Sequence, residues 1–90
     1  MNVDYYTLEN DVASGIFRHR LEEELTSGFR DILHSGERLP PASHYASRIA
    51  QIVSAGSTTP FPPEFAFHLY QEILAACEHA RAAVLGEEPS

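Results

Sequence analysis

Leu8, Val12 and Ile16 recur at every fourth position. Phe17, Leu21, Leu25, Phe29 and Leu33 do the same one residue out of step, with Ile32 beside the last. Four-residue spacing stacks side chains on one face of an α-helix, and neither series alternates as a strand would. The pattern predicts a helical segment from Thr7 to His34. Asp4 or Thr7 is the candidate cap, although Thr7 with Asn10 is not a full capping box. The one-residue shift falls near Gly15–Phe17. A glycine inside a helix costs roughly 1 kcal/mol relative to alanine, so Gly15 marks either a bend or a break between two helices. Gly28 reads the same way, or as room for a neighbouring helix. Ser35–Gly36 is a stop signal.

Two more helices follow. Residues Glu37–Pro41 form a loop, since tandem Pro40–Pro41 cannot lie inside a helix, whereas Pro41 suits a helix start. The second helix is expected over Pro41–Ser54. Tyr45, Ile49, Ile52 and Val53 form its apolar face, with Ala42 and Ala46 as small packing residues and Gly56 as its close. Ser57–Pro63 holds three prolines in seven residues and reads as an extended linker, with Phe61 packing back on the core. Pro63 then opens a third helix to Leu85, stopped by Gly86. Phe65, Leu69, Ile73, Ala76, Cys77, Ala80 and Val84 form its inward stripe. Glu87–Ser90 is expected to fray.

These elements predict an all-α fold: one small helical bundle over residues 1–86, with three helices, or four if the first segment breaks near Gly15. Ninety residues, 43% of them hydrophobic, suffice for one modest core. Charge then narrows the functions. Thirteen acidic residues against six arginines and no lysine leave a net charge of −7. Phosphate backbones need a basic face, which this chain lacks, so direct nucleic-acid binding is disfavoured. A helix-turn-helix reading fails similarly. The loop Gly56–Pro63 is too long, and the helix after it carries only Arg81 as a basic residue. A protein partner with a basic surface is electrostatically more natural. The single cysteine, Cys77, excludes an internal disulfide. The first residues lack a signal-peptide pattern and no apolar run reaches membrane-spanning length, so a cytoplasmic location is expected.

Candidate chemistry is sparse. His68, Glu72 and His79 share one helical stripe, and His68 with Glu72 has a chelating i, i+4 spacing. Three ligands strung over three turns do not converge on one ion, so a metal site would need a second chain. A solvated polar face is the favoured reading, and no cofactor is expected. Cys77 and His79 are two apart and point in different directions, which rules them out as an adjacent nucleophile and base. No GxSxG turn or glycine-rich phosphate loop is present. Arg18–Glu22, His19–Glu23 and Arg20–Glu24 are i, i+4 pairs on what reads as a solubilising face. Glu22, Glu23 and Asp31, with Asp11 and Glu37, would otherwise make an acidic docking edge.

Aromatic residues gather at the start of the chain and at the entry to the third helix. Phe65 and Phe67 cannot both face a monomer core, and Phe67 with Tyr70 at i, i+3 suggests an outward stripe. Aromatics are enriched where proteins bind one another. The expected function is therefore a non-enzymatic, acidic protein-binding module, in the manner of an inhibitor, an immunity-type protein or a phage or bacterial regulatory adaptor. Phe67, Tyr70, Tyr5, Tyr6, Glu22, Glu23 and Asp31 are its candidate contact residues. Self-association into a homodimer is expected as well, because a chain this short often completes its core that way. The alternative is a metal- or small-ligand-binding protein with a site shared between two chains.

Overall fold

A computed structural model of the chain describes residues 4–86, so the expected C-terminal tail over 87–90 lies outside the described residues. Four helices follow one another: α1 Tyr5–Ser14, α2 Ile16–His34, α3 Ala42–Ala55 and α4 Pro63–Leu85. The first segment breaks at Gly15, whose φ of +85° closes α1 and opens α2. A side chain at positive φ crowds the neighbouring carbonyl, so glycine is the residue that lets two helices meet at one corner. The shift in the apolar stripe is this corner seen in sequence. Asp4 occupies the N-cap position of α1 but makes no side-chain cap; the Thr7 hydroxyl donates to its carboxylate instead, at 2.8 Å.

The α2 stop at Ser35–Gly36 is a Schellman motif. The Gly36 amide donates to Leu33 O at 3.0 Å and the Glu37 amide to Ile32 O at 3.3 Å, with Gly36 at φ +85°. Helix α3 starts one residue later than expected, because Pro41 stays extended as the flanking residue and Ala42 is first to turn. Helix α4 has the expected bounds, with Pro63 in its first turn and Gly86 left-handed just past its end.

At 1.5 Å per residue, the 23 residues of α4 span about 34 Å, most of the 39 Å long axis of the molecule. It is the spine on which the others pack. Its inward stripe is rich in small side chains: Ala76, Cys77 and Ala80 are buried beside Leu69 and Ile73. Such small residues let α2 and α3 draw close on either side. Leu8 and Val12 of α1 and Ala46 of α3 join Leu69, Ile73 and Cys77 in one cluster. Phe29, Leu39 and Ala80 form a second cluster at the far end. No polar or charged residue is fully buried among the described residues.

One core expectation is corrected. Spacing places Ile52 with Tyr45, Ile49 and Val53 on the apolar face of α3, yet it is 67% exposed. Helix α3 packs on α4 through Ala46, and Ile52 lies six residues on, turned well away from that contact and toward α2.

Candidate functional site: an apolar groove between α2 and α3

Helices α2 and α3 both pack on α4, but no Cα of one comes within 8 Å of a Cα of the other. Their side chains must bridge the gap, and at one end they do: the rings of Phe29 and Tyr45 lie 4.8 Å apart. Beyond that pair the helices leave an open groove of about 310 Å³. From α2 it is lined by Leu25, Gly28, Phe29 and Ile32, and from α3 by Tyr45, Arg48, Ile49 and Ile52. Both sets follow the same spacing of i, i+3, i+4 and i+7, so each is a two-turn stripe, and the two stripes face one opening. Glu24 stands at the α2 rim.

Gly28 gives the groove its depth. A methyl group built there would meet nothing within 4 Å. Charge is sparse along the walls. The fourteen residues of α3 include no acid, although the chain carries thirteen. Glu24 and Arg48 are the only charged residues lining the groove, and they do not pair within 4 Å of each other.

The residues singled out from sequence fall elsewhere and are not all alike. Phe67 is 65% exposed and Tyr6 78% exposed. Tyr70 is half-buried and packs against the core, so the expected outward pair with Phe67 is not formed. Tyr5 is turned into a cluster with Phe61 and Phe65, at ring distances of 5.9 and 5.0 Å. Its hydroxyl donates to Glu9 Oε2 at 2.7 Å, and that bond, with desolvation second, raises the phenol above its ordinary pKa. Glu23 and Asp31 are exposed.

Glu22 is drawn inward. Its Oε1 lies 3.1 Å from His79 Nδ1 and 3.7 Å from Arg18 Nε, tying α2 to α4. Arg18 also reaches Glu72 at 3.8 Å, and His68 stands 4.0 Å from the same carboxylate. Arg18 Nη2 is nearly equidistant from the two ring nitrogens of His79, at 3.3 and 3.4 Å. Two nitrogens of one imidazole can be met equally at that range only from above the ring, so Nη2 lies over the face of His79. Glu22 Oε1 is shut off from water and meets no aligned donor, so its neighbours act by charge and proximity. Of the three pairs expected from sequence, Arg18–Glu22 and His19–Glu23 are present, whereas Arg20 and Glu24 do not come within 4 Å of each other. Of His68, Glu72 and His79, the first two face each other, while His79 faces Glu22. Among the described residues, no three His, Cys, Asp or Glu side chains converge as metal ligands.

Cys77 is wholly buried, and burial, with the charge of Glu78 adding to it, pushes its thiol up to about 11. A thiol so protonated behaves as a small hydrophobe. No helix among the described residues is long and apolar enough to cross a membrane.

Helical spacing shows that Leu25 and Phe29, or Tyr45, Ile49 and Ile52, share a face, but not that the two faces stand apart around an opening. The available signal is the matching spacing of Leu25, Gly28, Phe29 and Ile32 with Tyr45, Arg48, Ile49 and Ile52. Compared with models of known protein families, with curated proteins and with solved structures, the chain finds no match.

Proposed function

We propose that this chain is a non-enzymatic protein-binding module and that the groove between α2 and α3 is where it receives a helical surface of another polypeptide. The observation that carries this is the pair of two-turn apolar stripes, held apart on α4 and left uncovered. A groove bounded by i, i+3, i+4 and i+7 anchors suits the apolar face of a helix. Its open side suits a small molecule less, because ligand pockets enclose most of what they hold. The expected acidic edge contributes less than its charge suggests, since Glu22 is engaged with Arg18 and His79. The metal-binding alternative loses support for the same reason: Arg18 faces Glu72, and His79 faces Glu22.

The test is retention from an extract of the source organism on immobilised wild-type chain and on its Ile52→Asp variant. A protein held by the wild type and lost with the variant is the expected result. Retention of no specific protein by either, this chain included, would overturn the reading.

A further inference from the structure

Resting on the reading that this surface binds protein, we infer that the walls of the groove meet those of a second copy of this chain, docked about a twofold axis running along the groove so that the two grooves face each other. The surface is self-complementary. An isologous contact requires that every feature on the surface find its counterpart on the same surface. Here the counterparts are present. The α3 stripe carries one large charged side chain, Arg48, at the position where the α2 stripe carries Gly28, the residue with open space in front of it.

Register agrees with spacing. Phe29 and Tyr45 stand side by side near the connecting loop, and the helices run antiparallel from there. Three residues along α3 from Tyr45 is Arg48; three back along α2 from Phe29 is Thr26, midway between Glu24 and Gly28. A twofold axis parallel to the helices lays α2 of one copy over α3 of the other without changing these levels. Each Arg48 then enters the space above Gly28 of the partner subunit. Glu24 of the partner subunit lies within about one helical turn of it. The symmetry makes two such pairs, and Leu25, Ile49 and Ile52 of both copies close a four-helix layer between them.

The charge distribution decides between this occupant and a basic protein. A basic partner calls for acids along the walls, yet α3 has none, and the single Glu24 is balanced by Arg48. In a chain of net charge −7, the groove is a locally neutral strip. That is what two equally acidic copies need where they touch.

Sedimentation equilibrium from low micromolar to millimolar chain tests this. The wild type is expected to be a dimer. Ile52→Asp and, separately, Gly28→Leu are expected to weaken it at least about 100-fold, since each places charge or bulk on the shared surface. Helical circular dichroism should persist in both, because both positions face open space. Glu24→Arg and Arg48→Glu alone should each weaken the dimer about tenfold, and the double reversal should return it to within a few-fold of wild type. A wild type monomeric at millimolar concentration would overturn the inference, and so would a dimer indifferent to Ile52→Asp and Gly28→Leu. If the chain is monomeric but still retains a different protein through Ile52, the binding reading survives and only the second copy is lost. If it is monomeric and retains nothing, both fall.

Discussion

Phe29 of α2 and Tyr45 of α3 hold their rings 4.8 Å apart across a gap that the two backbones never close. Phe29 is only 3% exposed and joins Leu39 and Ala80 in the far cluster, so it is both core residue and groove wall. Truncating such a ring removes about 3–5 kcal/mol. A domain of this size has as little as about 5 kcal/mol in hand, so Phe29→Ala should keep at most a marginal stability of about 2 kcal/mol and unfold at much lower urea than wild type. Phe29→Leu should fold and lose no more than about 1.5 kcal/mol. Tyr45→Phe should shift stability by under about 0.5 kcal/mol, because the hydroxyl has no hydrogen-bond partner among the described residues. Urea unfolding of the three variants checks this; a stable Phe29→Ala would mean that the far cluster is not a working part of the core.

The limits of legibility follow from what periodicity encodes. Leu69, Ile73, Cys77 and Ala80 were readable as one inward stripe, and Pro63 and Gly86 as its bounds, because cap chemistry and spacing are local properties. Which stripe faces which neighbour is not local. Ile52 carries the same helical signal as Ile49, yet only the placement of α3 on α4 decides that one packs and the other stands at an open rim. Glu22 shows the same limit among charged residues: its i, i+4 partner Arg18 was evident, while His79, fifty-seven positions away, becomes its neighbour only when α2 docks.

Gly15 and Gly28 looked alike in sequence, and their alanine variants should move stability in opposite directions. Gly15 sits at φ +85°, where a side chain costs about 1–2 kcal/mol. Gly28 is in regular helix, and a methyl there meets nothing within 4 Å. Gly28→Ala should therefore stabilise the monomer by about 0.5–1 kcal/mol. Denaturation at concentrations too low for self-association keeps binding out of the comparison. Destabilisation by Gly28→Ala under those conditions would contradict the open space found there.

Cys77 should make stability fall in alkaline solution. Its thiol is pushed from 9.0 to about 11 by burial. Below pH 9 the thiol is protonated in both states and contributes fully. Between pH 9 and about 11 the unfolded chain releases the proton while the folded chain keeps it, so stability drops by up to about 1.4 kcal/mol per pH unit. Subtracting the profile of Cys77→Ala removes the tyrosines, which titrate in the same range. A difference profile flat from pH 8 to 11 would show that the thiol meets water in the fold. The same protonation should leave Cys77 unreactive to alkylation at pH 8 until urea opens the chain.

The ion pairs of α2 should separate into two classes when salt is raised. Arg18 and Glu72 join different helices, and their side chains are 35% and 26% exposed; His19 and Glu23 lie on one helix at 74% and 68%. Exposed pairs gain little and are screened readily, whereas partly sheltered ones keep more of their attraction. A double-mutant cycle with Arg18→Gln and Glu72→Gln should give about 0.5 kcal/mol at about 0.1 M salt and retain about half of that at about 1 M. The cycle with His19→Gln and Glu23→Gln should give under about 0.3 kcal/mol and vanish with salt. Among the described residues Arg18 is the one cation that touches Glu22, Glu72 and the face of His79 together, so its loss frees two carboxylates at the α2–α4 seam. Equal coupling in the two cycles would mean that Arg18 is solvated like its neighbours on the outer face. The seam would then rest on apolar contact alone.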